Sequence, residues 1–94
     1  MALTVDSKGS PVKVTGTTAT SSAVLTSAAF ITHMYWYNPT TAGDLLTVVD
    51  RAGREIAVFR CETASFSQVL PILHLYQKVN ITDMDSGTLY IYVL

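Results

Sequence analysis

A chain of 94 residues that is 49% hydrophobic and only 14% charged has the length of one domain and little more than half the charge of an average soluble one. Its net charge of −1 excludes an electrostatic case for nucleic acid or an anionic membrane, and a single cysteine, Cys61, excludes an internal disulfide or an all-cysteine metal site. No apolar run approaches the roughly 20 residues of a membrane helix, and the opening MALTVDSKGS lacks the basic-then-apolar pattern of a signal peptide, so synthesis in the cytoplasm is expected.

Residues 1–21 form a distinct first region. Gly9, Pro11, Gly16 and the Thr/Ser-rich run that follows leave only small apolar patches, such as Val12 and Val14 around Lys13, enough for one short edge strand at most. Two readings stand open: a mobile tail, or an extended arm that adds a strand to a neighbouring subunit. Either way, residues 22–94 are expected to fold without this region.

A short strand is expected over residues 22–26, followed by a break near Ser27. Residues 30–37, FITHMYWY, are rich in aromatic and β-branched side chains and stop at Asn38-Pro39, which predicts a long central strand. Strict alternation puts Phe30, Thr32, Met34 and Trp36 on one face and Ile31, His33, Tyr35 and Tyr37 on the other. Neither face is plainly a solvent face. One is expected in the core, and Ile31, His33, Tyr35 and Tyr37 are the candidate surface for self-association or a partner.

After the turn segment NPTTAG, residues 43–60 read as a β-hairpin. Leu45, Thr47 and Val49 alternate with Leu46 and Val48, and Ile56 and Val58 alternate with Ala57 and Phe59. Between them Asp50-Arg51-Ala52-Gly53 places Asp first and Gly fourth in a type I turn. Cys61 then reads as a small core residue. Residues 66–73 predict a strand that Pro71 either confines to a sheet edge or splits, and residues 79–83 a short strand with Val79, Ile81 and Asp83 on one face. Asp85-Ser86-Gly87 is a turn into a last strand over 88–94, where Leu89, Ile91 and Val93 oppose Tyr90 and Tyr92. That strand is too aromatic to fray and is expected to be central.

Seven or eight short strands with turn signals every eight to twelve residues, and no sustained helical periodicity, predict an all-β domain: one antiparallel β-sandwich, Ig-like or jelly-roll-like, with an N-terminal arm. Chemistry-bearing patterns are sparse. His33 and His74 have no ligand spacing with Asp83 or Asp85. The Asp83-to-Gly87 turn has Thr88 where a calcium loop needs its glycine and Leu94 where it needs its closing Glu. Neither a nucleophile elbow nor HExxH occurs, so no enzyme, cofactor or metal is expected. Asn80, Ile81 and Thr82 match a glycosylation sequon, relevant only to a secreted chain. Exposed aromatics such as Tyr35, Tyr37 and Tyr76 suit stacking on sugar rings, although core or interface packing is the commoner use of such residues.

The order of an aromatic strand, an Asn-Pro-Thr-Thr-Ala-Gly turn, Leu-Leu-Thr-Val-Val-Asp, Arg-Ala-Gly-Arg, a second hairpin strand and a closing Ser-Gly-Thr-Leu-Tyr-Ile-Tyr-Val resembles the small β-sandwich structural proteins of tailed-phage virions, of the head decoration or cement type. The resemblance covers residues 22–94. It implies a non-enzymatic virion protein that binds the major capsid protein or another virion protein on the outer shell, as a homo-oligomer and by preference a trimer. It brings no catalytic or ligand residue with it. A carbohydrate- or receptor-binding module of a phage tail or fibre is the alternative, and it requires several aromatics together on one exposed patch.

Overall fold

The computed structural model describes residues 3–6 and 10–94, and among these residues nine strands form and no helix. They are β1 (Thr4–Asp6), β2 (Val12–Thr15), β3 (Ser22–Leu25), β4 (Ala29–Tyr37), β5 (Leu45–Asp50), β6 (Glu55–Arg60), β7 (Gln68–Tyr76), β8 (Val79–Met84) and β9 (Thr88–Val93). Five of them make one sheet in the order β1-β2-β9-β4-β7, and four make the other in the order β3-β8-β5-β6. All pairings are antiparallel. The fold is the expected all-β sandwich.

Alternation builds the core between the sheets. The five-stranded sheet turns in Val12, Val14, Ile31, Met34, Trp36, Leu89 and Ile91, and the four-stranded sheet turns in Val24, Leu46, Val48, Ala57, Phe59, Val79, Ile81 and Met84. Each large side chain withdrawn from water in this way contributes about 1.5–3 kcal/mol. Trp36 anchors one end. Its ring lies 6.0 Å from Phe59, and its buried Nε1–H donates to the Ser86 carbonyl at 2.9 Å, so the indole leaves no orphan donor. Gly87 permits that approach: its φ is +79°, and a Cβ there would sit 2.8 Å from Trp36 Nε1.

The hairpin of β5 and β6 forms as the sequence predicts. The Asp50 carbonyl accepts from Gly53 N–H at 3.0 Å, and Asp50 N–H donates to the Arg54 carbonyl at 2.8 Å. Gly53 has φ +84°, so the turn is a type I turn closed by a left-handed residue, the usual three-residue hairpin loop. Pro71 lies on β7, an edge strand, and β9 is the middle strand of its sheet, both as expected.

Two expectations are corrected here. Nine strands replace seven or eight, because residues 1–21 supply two of them. Within the described part of that region β1 pairs with β2, and β2 pairs with β9 through Val12–Ile91 and Val14–Leu89. Val12 and Val14 are 2% and 0% exposed. Two valines at alternate positions thus close the core under β9, and the region marked off as 1–21 packs against the rest of the chain through them; Met1, Ala2, Ser7, Lys8 and Gly9 lie outside the described residues.

Candidate functional site

The outer face of the five-stranded sheet is where the sequence's aromatic positions converge. Tyr35 on β4 lies between Tyr90 on β9 and Val69 on β7, and His33 lies between Tyr92 and Pro71. Tyr37 continues the β4 row, and Lys13 on β2 flanks Tyr90. The rings touch: His33 stacks on Tyr92 at 4.2 Å and 13°, Tyr35 stacks on Tyr90 at 6.2 Å, and Tyr35 meets Tyr37 at 5.9 Å. Tyr37 is 48% exposed, and His33, Tyr35, Tyr90 and Tyr92 are half-buried by one another.

Three of the four surface residues expected from the sequence, His33, Tyr35 and Tyr37, are therefore together. Ile31 is not with them. It is fully buried because β4 carries a β-bulge: Ile31 pairs with Val93 and His33 with Tyr92, so two steps of β4 span one step of β9. The extra residue returns Ile31 to the core beside Met34 and Trp36. It also lets Thr32 turn its hydroxyl to the strand, where Oγ1 donates to the Tyr92 carbonyl at 3.2 Å and lies 3.0 Å from His33 Nδ1. That contact orients the imidazole on Tyr92.

Tyr90 and Tyr92 complete the strip and were not among the expected surface residues. Their signal is the repeated Tyr-x-Tyr of β4 and β9; its meaning depends on those two strands being neighbours, which no local pattern states. Tyr76 does not join the strip but packs on His74 at 4.6 Å at the end of β7. Asn80 of the sequon has its Oδ1 buried without a partner among the described residues.

Rings packed side by side, with phenolic hydroxyls and one imidazole among them, present apolar surface interspersed with hydrogen-bonding groups. Over the three β4 positions it runs about 13 Å. Among known proteins, no family model matches the chain and no curated protein matches it. A solved structure of a fucose-binding module from Streptococcus pneumoniae matches over 98% of this chain and 72% of its own, with a TM-score of 0.50 and 12% identity. At that identity the likeness is one of fold. None of these findings is a virion protein, so the shell-binding expectation stands on the sequence resemblance alone.

Proposed function

We propose that this protein is a non-catalytic carbohydrate-binding module that takes its ligand on the outer face of the five-stranded sheet. The observation that carries the reading is the placing of two ring clusters, Tyr35 with Tyr37 and Tyr90, and His33 with Tyr92, side by side on one sheet face. A pyranose has an apolar C–H face that stacks on aromatic rings and equatorial hydroxyls that exchange hydrogen bonds at the rim, which this strip offers with little ordering cost, because each ring is already held by its neighbour. The sandwich shared with a fucose-binding module supports it. A virion protein using the same face against a capsid would bury the strip under protein.

The test is calorimetric titration, preceded by a glycan array that includes fucosylated and other neutral oligosaccharides. Wild-type protein should bind at least one neutral glycan. Tyr35→Ala and Tyr90→Ala should each weaken that binding at least about tenfold, roughly 1.4 kcal/mol, while the circular dichroism of the folded protein is retained. A folded protein that binds no glycan on the array, or binding unmoved by both substitutions, would overturn the reading.

A further inference from the structure

A second feature lies where the end of β7 meets the hairpin of the other sheet. The tip of the β5–β6 hairpin and the last residues of β7 bracket a cleft of about 450 Å³ whose walls include Asp50, Arg51, Arg54, His74, Tyr76 and Gln77. Its size falls within the roughly 300–1,000 Å³ of small-ligand sites. His74 and Tyr76 pair with Ile31 and Ala29 of β4, so both lie on the inward side of β7, turned to the hairpin tip rather than to the tyrosine strip.

The charges in this cleft are arranged by the turn. Asp50 Oδ1 accepts the N–H groups of Ala52 and Arg54, each at 2.9 Å, and Oδ2 lies 3.4 Å from Arg54 Nε. These donors, the Arg54 amide first among them, hold its carboxyl below the usual carboxylate range. The carboxylate is consumed in fixing the turn and holding one guanidinium. Arg51, at the second position of the turn, has no hydrogen bond or ion pair among the described residues and is exposed. Two guanidiniums against one committed carboxylate leave a positive charge in a chain whose net charge is −1. The cleft is also lined by His74 and Tyr76, whose rings lie 4.6 Å apart, and by Gln77.

We infer that this cleft binds an acidic sugar unit, its carboxylate or sulfate on Arg51 and Arg54 and its ring against Tyr76 and His74. Guanidinium forks match the planar or tetrahedral oxygens of such groups and bind them with two parallel hydrogen bonds. The aromatic wall supplies the ring contact that a bare anion would not use. The sugar half of this inference rests on the carbohydrate reading given above; the anionic half rests on the turn alone.

The experiment titrates the full-length protein by calorimetry with a uronic-acid disaccharide, a sulfated disaccharide and their neutral parent, at low and at raised salt. At least one acidic disaccharide should bind at least tenfold more tightly than the parent and weaken as salt rises. Arg51→Ala should abolish that preference and Arg51→Lys, which keeps the charge but not the fork, should lose most of it, while Tyr35→Ala leaves it intact. Thermal unfolding should not move, since Arg51 makes no contact the fold needs. Acidic and neutral sugars bound alike, or a preference that survives Arg51→Ala, would overturn the site. Acid-selective binding that survives Tyr35→Ala in a protein deaf to neutral glycans would uphold this cleft and overturn the tyrosine strip; the reverse pattern would do the opposite.

Discussion

Asp83 shows how one displaced residue creates a titrating group. Strict alternation places it on the face of Val79 and Ile81, but Thr47 pairs with Asp83 and Val48 with Ile81, so β8 carries an extra residue at Thr82 and it is Met84 that turns into the core. Asp83 is left beside Asp85 and Asp44. Asp85 Oδ2 accepts from Leu45 N–H at 2.8 Å, and Asp44 Oδ2 from the Ser86 hydroxyl at 2.6 Å. Asp83 is pushed up to about 6, first by burial, then by its hydrogen bond to Asp85 and the charges of Asp85 and Asp44. A carboxyl raised in the folded state holds a proton that the unfolded chain has released, so its contribution is full below the ordinary value of 3.8 and is lost as pH rises through about 6. Asp50, shifted the other way, weakens the fold only on acidification below its ordinary range. Thermal unfolding between pH 4 and 7 should therefore show a falling Tm in the wild type and a flatter profile in Asp83→Asn, with the two proteins closest at pH 4 and the variant more stable at pH 7. Parallel profiles would remove the shared-proton account.

At the scale of elements the N-terminal strands matter most. Burying Val12 and Val14 contributes about 3–6 kcal/mol between them, a large share of the 5–15 kcal/mol that holds a typical domain, and β2 also satisfies the edge of β9. A chain lacking residues 1–15 should lose cooperative unfolding or unfold at a much lower denaturant midpoint, the reverse of what the polar composition of this region suggests. An unchanged midpoint by circular dichroism in urea would show that β1 and β2 are dispensable. The reason the sequence misleads here is that Val-Lys-Val is three residues of signal among glycines and threonines, and its burial depends on β9, some 75 residues away. By contrast the β5–β6 turn was legible, because Asp50 and Gly53 are local and act together, whereas the register shift between Val48 and Val49, both of them buried, was not. The candidate site falls between these cases. His33, Tyr35 and Tyr37 follow from alternation in β4, but Ile31 was misplaced, since a bulge inserts a residue without a Gly or Pro to mark it, and Tyr90 and Tyr92 need the sheet order. The hairpin turn was legible as a turn, yet the cleft it forms with β7 was not, for the same reason.

For the whole molecule, an accessible surface of 5176 Å² matches the roughly 5,300 Å² that size scaling gives a folded monomer of this mass. Folding alone has withdrawn a normal amount of surface, so the low charge shows in what remains outside. Among the edge strands, β1 carries Asp6, β6 carries Glu55 and Arg60, and β3 has only four residues. The nine residues of β7 include no charge, and Val69, Leu73 and Leu75 on it are 60%, 68% and 51% exposed. Natural edges are normally blunted by charge or brevity, and here the guards are Pro71 and the bulge at Leu73, whose φ is +54°. Those two features oppose addition of a further backbone strand past residue 71, and they leave the apolar side chains standing. Self-association is thus expected through side-chain packing of β7 against β7 of a second copy. One patch that contacts itself about a two-fold axis closes at a dimer, whereas the trimer expected from the virion resemblance needs two different patches. Light scattering over micromolar to near-millimolar concentration should show a monomer passing to a dimer, and Leu73→Lys should hold the protein monomeric without weakening glycan binding on the tyrosine strip. A trimer untouched by Leu73→Lys, or a wild-type monomer throughout the range, would rule out β7 as the contact.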